Sequence, residues 1–222
     1  MIKKHMDEAP ILEAYEQGFP CPLCRVQRDC EAQYVESALG SSVMEPSVRV
    51  EVNEKGFCEA HLKMLYDSGD RLPLALMLDT HLNEVISRVR RERNAKRFIR
   101  KPAELFHSCA ICDKLESTMS RYESTLIYIY QHDASFKKTF LASKGFCVRH
   151  LERLLAIAPA DFARDAIDLT LANLEEIKAD VNWYTLKFDY RNASKPWGTS
   201  LDAVYRAIGA LRGNHNINKP KD

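Results

Sequence analysis

The chain has 222 residues, 45% of them hydrophobic and 28% charged, with a formal net charge of +1. That balance belongs to a globular chain able to bury a core without disulfides, and it gives the protein as a whole no strong bias toward nucleic acid, membrane or acidic partners. No apolar run approaches the roughly 18 residues of a membrane span, and residues 1–10 lack the apolar stretch of a secretory signal, so a cytoplasmic protein with no membrane partner is expected.

In chain order, residues 23–39 carry helical spacing with no turn residue before Gly40. Residues 41–55 hold Pro46 and an apolar–polar alternation (Val48, Val50, Val52) that has the period of a strand. Their counterpart further on, residues 133–144, has a helical pattern, and a short helix is therefore expected in both places. Gly56 interrupts the chain before a helix over 58–66, and a long helix over about 72–97 follows, with Pro73 near its start, where a missing N–H costs least. Residues 113–131, 147–157 and about 162–190 read as helices, the last preceded by Pro159. Residues 192–200, with Pro196 and Gly198, form a loop, a final helix covers 201–211, and the polar tail beyond Gly213 frays.

The sequence repeats itself. Cys21-Pro22-Leu23-Cys24 is followed by Gly56-Phe57-Cys58-Glu59-Ala60-His61-Leu62, and Cys109-Ala110-Ile111-Cys112 by Gly145-Phe146-Cys147-Val148-Arg149-His150-Leu151. The gap from Cys24 to Cys58 is 34 positions (58 − 24) and that from Cys112 to Cys147 is 35 (147 − 112). Two matched blocks in the same order at nearly the same spacing point to a duplicated unit.

Cysteines in CxxC pairs in a reducing compartment hold metal or do redox chemistry more often than they form structural disulfides. A CxxC pair brings two sulfurs to one ion, and a Cys-x-x-His pair puts both side chains on one helix face, so one pair of each makes a tetrahedral Cys3His zinc site. Taken repeat by repeat, Cys21, Cys24, Cys58 and His61 make one site and Cys109, Cys112, Cys147 and His150 the other, for two zinc ions. Each pair falls where a helix begins, and unpaired N–H groups favour thiolates there. Four protein ligands leave no place for water, so the sites read as structural rather than catalytic. Leu62 and Leu151, next to the histidines, are expected to point into the core. The competing readings are buried cysteines with core histidines, and thiol-redox or metal-sensing chemistry at the CxxC pairs. Neither asks for a Cys-x-x-His partner in duplicate.

Cys30 aligns with Thr118 in the other copy and reads as a small buried residue outside both sites, the one thiol left to titrate freely. His5, His81, His107, His132 and His215 have no duplicated partner and read as ordinary histidines. Residues 88–101 carry eight Lys/Arg against Glu92 alone, net +7, whereas residues 1–87 carry eight against fifteen Asp/Glu, net −7. This basic run is a candidate nucleic-acid contact, but it lacks interleaved aromatics and reads first as a solvated connector. Trp183, Tyr184, Phe188, Tyr190 and Trp197 form an aromatic C-terminal segment, mostly at packing spacing, whose loop from Asp189 to Trp197 is a candidate pocket lining.

The CPxC and GFCxxHL blocks, with Phe188-Asp189-Tyr190-Arg191 and Pro196-Trp197-Gly198, resemble an uncharacterised bacterial family of unknown function, over about residues 20–213. The resemblance implies a bacterial, intracellular, mostly helical protein and no reaction. The second block departs from CPxC at Ala110, which affects turn stiffness and not ligand supply.

The expectation is an all-α protein of two pseudo-repeated helical units, residues 1–101 with the basic connector and 102–222 with the aromatic segment, each clamped by a Cys3His zinc site and sharing one compact body. No catalytic constellation, P-loop or dinucleotide fingerprint is recognisable, so a binding module for a protein or small-molecule partner is favoured over an enzyme.

Overall fold

A computed structural model describes residues 2–94 and 109–213 of the chain. Ten α-helices are described: α1 (Ile2–Glu16), α2 (Pro22–Leu39), α3 (Pro46–Lys55), α4 (Glu59–Asp67), α5 (Arg71–Asn94), α6 (Ala110–His132), α7 (Ala134–Leu141), α8 (Val148–Leu155), α9 (Ala160–Leu186) and α10 (Ala203–Arg212). Short 3-10 turns lie at Ser41–Met44, Tyr190–Asn192 and Gly198–Asp202, and no strand occurs among the described residues. The fold is all-α, as the sequence predicts. The alternation at 48–52 is helical: Pro46 opens α3 at its first position, where its fixed φ is pre-set for a helix.

The chain forms two compact units. The first joins residues 1–28 to 119–222, and the second is the continuous stretch 29–118. Both divisions fall inside a helix, α2 and α6, so these units differ from a cut at 101/102, a point that lies outside the described residues.

The first unit is built on aromatic packing. Tyr130 and Phe162 meet edge-on at 5.0 Å, Tyr130 and Phe140 likewise at 5.0 Å, and Phe140 lies 5.1 Å from Phe162. Such contacts are worth about 0.5–1.5 kcal/mol each beyond area burial. The Tyr130 hydroxyl reaches the edge of this cluster and donates to Asp165. Tyr15 of α1 meets Phe136 of α7 edge-on at 5.0 Å, which buries Ile11, Ala14 and Tyr15 on one face of a helix absent from the sequence-based expectation.

The loop from Asp189 to Trp197 is tied back to the end of α9 through its backbone carbonyls. Lys187 is 7% exposed and its ammonium donates to the carbonyls of Asn192, Ala193 and Lys195, and the Trp183 indole donates to the carbonyl of Pro196 at 3.1 Å. Three carbonyl acceptors compensate the desolvation of the buried charge.

The second unit packs aliphatic side chains: Val35 and Leu39 of α2, Val52 of α3, Leu65 of α4, Leu74 and Met77 of α5, and Ile111 of α6. The Tyr34 hydroxyl pairs with that of Thr118 at 2.7 Å. Cys30 is buried, as expected of a small apolar residue, and so is not a freely accessible thiol.

Candidate metal centres

Each ligand pair stands at a helix start. Cys21 and Cys109 immediately precede α2 and α6, and Cys24 and Cys112 lie in their first turns. Cys58 and Cys147 are the N-caps of α4 and α8, with extended backbone, and His61 and His150 follow one turn later. Two glycines make the approach possible. Gly56 (φ +68°) and Gly145 (φ +75°) turn the chain through left-handed backbone, and each packs against a neighbour with no room for a side chain. A Cβ on Gly145 would stand 2.6 Å from the Thr170 Oγ1, and the same hydroxyl accepts from the Phe146 N–H at 3.1 Å. A Cβ on Gly56 would stand 2.8 Å from Nε2 of His81.

All eight predicted residues come together in two groups of four, but not repeat by repeat. Cys21 and Cys24 meet Cys147 and His150 in the first unit, and Cys58 and His61 meet Cys109 and Cys112 in the second. The pairing therefore crosses between the copies: the CxxC of each repeat is completed by the Cys-x-x-His of the other. Either partner pair offers the same donors at a helix start, so spacing alone does not distinguish the two pairings.

The geometry suits a tetrahedral ion. Within each group the ligand atoms lie within 4.8 Å of one another. In the first, His150 Nδ1 is 3.5 Å from Cys21, 3.4 Å from Cys24 and 3.3 Å from Cys147, and Cys24 and Cys147 are 3.5 Å apart. In the second, His61 Nδ1 is 3.2 Å from Cys58 and Cys109 and 3.4 Å from Cys112, and Cys58 and Cys112 are 3.8 Å apart. Tetrahedral zinc with ordinary bond lengths would set sulfur–sulfur edges of about 3.8 Å and sulfur–nitrogen edges of about 3.6 Å.

Each histidine turns Nδ1 to the sulfurs and Nε2 away from them. The His150 Nε2–H donates to Gln27 Oε1 at 3.0 Å and the His61 Nε2–H to Glu31 Oε1 at 3.0 Å. Both acceptors fix the tautomer that leaves Nδ1 free to bind an ion. Repeat reasoning misses these two residues. They sit one turn apart on α2, and their counterparts at the 88-position offset, Leu115 and Met119, are apolar. The signal available is local: two polar residues on the helix that begins with the first CxxC.

Protons alone serve these clusters poorly. Burial holds the Cys21 thiol well above its ordinary range, whereas hydrogen bonds from Cys21 and Cys24, and then His150, hold Cys147 well below it. In the second cluster, burial and then the Cys109 and Cys58 thiols push Cys112 up to about 12. Burial also raises Cys109, but hydrogen bonds from His61 and the backbone bring it down to about 6. His61 rises to about 10, chiefly through Cys109 and then Glu31. Some sulfurs are favoured as thiolates and others as thiols. A divalent cation held by the four side chains would take the place of those protons and let every sulfur ionise.

The two clusters differ in access. Cys21, Cys147 and His150 are buried and Cys24 nearly so, whereas Cys58 is half-buried and Cys112 exposed. Leu62 is 36% exposed and Leu151 half-buried, contrary to expectation, and the core positions are Leu65 and Leu154. On a helix the residue four after each histidine shares its face, and the adjacent one does not.

Of the basic run, Arg88 and Arg91 pair with Glu84, and residues 95–101 lie outside the described residues, as do His107 and His215. No described helix is long and apolar enough to cross a membrane.

Comparison with known proteins places the chain in a family. It belongs to a family of unknown function (DUF6062), whose model matches residues 2–218. It is 23% identical over 182 residues to an uncharacterised 23.9 kDa protein in the xynA 3′ region of Caldicellulosiruptor sp. (strain Rt8B.4), an alignment that covers 78% of this chain and 84% of that one. No solved structure matches.

Proposed function

We propose that this member of a family of unknown function is a bacterial, cytoplasmic binding module, held in shape by two structural zinc ions. One ion is bound by Cys21, Cys24, Cys147 and His150, the other by Cys58, His61, Cys109 and Cys112. The observation that carries this reading is the closed tetrad. In each cluster Nδ1 and three sulfurs converge, Nε2 is held from behind, and the four protein ligands fill the coordination of zinc. Thiolate-rich sets select zinc over the hard cations, and the absence of an open position argues for structure over catalysis. The test is elemental analysis of protein purified without added metal or chelator. Close to two zinc per chain supports the reading, and metal-free protein with its cysteines in reversible disulfides overturns it.

A second reading, thiol-based sensing, draws on one feature of the second cluster. Cys112 is exposed and Cys58 half-buried, so an oxidant or a competing chelator reaches those sulfurs without unfolding the unit. Metal release on mild oxidation from that cluster alone, with a reversible change in partner binding, would favour sensing over a purely structural role.

A further inference from the structure

The first unit holds a cavity of about 400 Å³ directly beside the Cys21–Cys24–Cys147 sulfurs. Its size lies in the ~300–1,000 Å³ range of small-molecule sites. Four cationic side chains line it: Arg25 and Arg28 from the first turns of α2, Lys144 from the turn before Gly145, and Arg206 from α10. No carboxylate is among its lining residues. The rest of the wall is largely apolar, with Phe19, Phe146, Ile177 and Tyr205, the polar Asn173, and Gly209 and Ala210 on a face of α10 where a ligand can approach the helix closely.

Groups around the cavity hold the cations in position. Arg25 and Arg28 sit over the Phe19 ring, 5.1 and 5.5 Å from its centre. Arg206 is forked between Asp180 (2.6 Å) and Asp202 (2.7 Å), and Lys144 pairs with Glu176 at 2.6 Å. None of these carboxylates lines the cavity, so they orient the donors without occupying the space the donors face.

We propose that this cavity is the binding site of the module and that it takes a small organic phosphate, an ester or anhydride with an aromatic or apolar body. The phosphate meets the Arg25, Arg28, Lys144 and Arg206 donors. Guanidinium forks match phosphate oxygens two at a time, and two arginines one turn apart give a phosphate more than one such edge. The body lies against Phe19, Tyr205 and the Gly209–Ala210 face. The inference rests on the reading of the protein as a binding module and supplies its site and ligand class.

The test is calorimetric titration of full-length protein of measured zinc content with inorganic phosphate, phenyl phosphate and ADP, with adenosine as the uncharged control, all at one ionic strength. The expected result is saturable binding of phenyl phosphate or ADP, tighter than inorganic phosphate, with no binding of adenosine. The Arg25→Gln/Arg28→Gln double variant should weaken it at least about tenfold, roughly 1.4 kcal/mol. Tyr205→Ala should weaken the organic phosphates and leave inorganic phosphate unchanged. Two-zinc protein that binds none of the probes overturns the cavity assignment and leaves the metal reading standing. Binding unchanged in the double variant, with its zinc content and melting temperature intact, overturns it as well. Zinc-free protein that still binds in the expected order would instead overturn the metal reading and keep the cavity.

Discussion

The crossed pairing of the ligands can be tested by counting metal. Consider two double variants that remove the same number of thiols. Cys24→Ser with Cys147→Ser takes both from one cluster and leaves the Cys58–His61–Cys109–Cys112 tetrad whole. Cys24→Ser with Cys58→Ser takes one from each and leaves two clusters of three ligands. The first variant should retain about one zinc per chain and the second should fall toward none under a competing chelator, because a structural site holds four ligands. At free zinc about a thousandfold above the dissociation constant, each intact site stabilises the native state by about 4.1 kcal/mol. For a chain of this size that is roughly 8–16 °C in melting temperature, at about 2–4 °C per kcal/mol. The assay is native mass spectrometry with elemental analysis, beside thermal melts followed by circular dichroism. Pairing within each repeat predicts the reverse order, with one zinc kept by Cys24→Ser/Cys58→Ser. That result would refute the arrangement described here.

Three further outcomes follow from the same geometry. A chelator titration should release metal in two phases, the faster from the cluster with the exposed Cys112; the fast phase should be missing in Cys112→Ser, and Cys30 should react slowly in the loaded protein, since it is buried. Gly145→Ala should destabilise the first unit by several kcal/mol and loosen its metal in a chelator competition, because the added carbon meets Thr170 at 2.6 Å and the backbone is left-handed. Asp180→Asn should cost about 1–2 kcal/mol at neutral pH, an estimate reduced for partial exposure. Arg206 and then Thr199 hold the Asp180 carboxyl below its ordinary range, so its contribution is present above the unfolded value near 3.9 and lost as pH falls below it; urea melts of the two proteins should converge there.

Much of this is legible in the sequence, and the exceptions have physical causes. The eight clustered cysteines and histidines, their placement at helix starts and the all-helical class follow from short-range patterns that helical geometry enforces. The pairing does not, since duplicated segments present equivalent donors and only the packing of the whole chain selects among them. The short helix α3 is legible through its counterpart in the other copy, despite its strand-like alternation. Helix α1 escapes because charges and Pro10 dilute its pattern; its order comes from Ile11, Ala14 and Tyr15 packing under α7. Leu62 and Leu151 are misplaced when adjacency to a buried histidine stands in for the four-residue spacing that Leu65 and Leu154 obey. Gln27 and Glu31 lie outside the repeat altogether.

The order of the ligands along the chain bears on how metal is acquired. From the N-terminus they run outer pair, inner pair, inner pair, outer pair, so one metal-closed loop is nested within the other. The inner cluster spans 48 positions from His61 to Cys109, and the outer one 123 from Cys24 to Cys147. Within-repeat closure needs only 34 or 35 positions. Loop entropy in an unfolded chain therefore favours the wrong partner, by about 1 kcal/mol for the outer cluster and a few tenths for the inner. Zinc offered to the unfolded protein would trap those shorter loops, and only the packed helices select the longer ones. Correctly paired loading would therefore follow the packing of the helices, and closure of the inner loop would shorten the path for the outer.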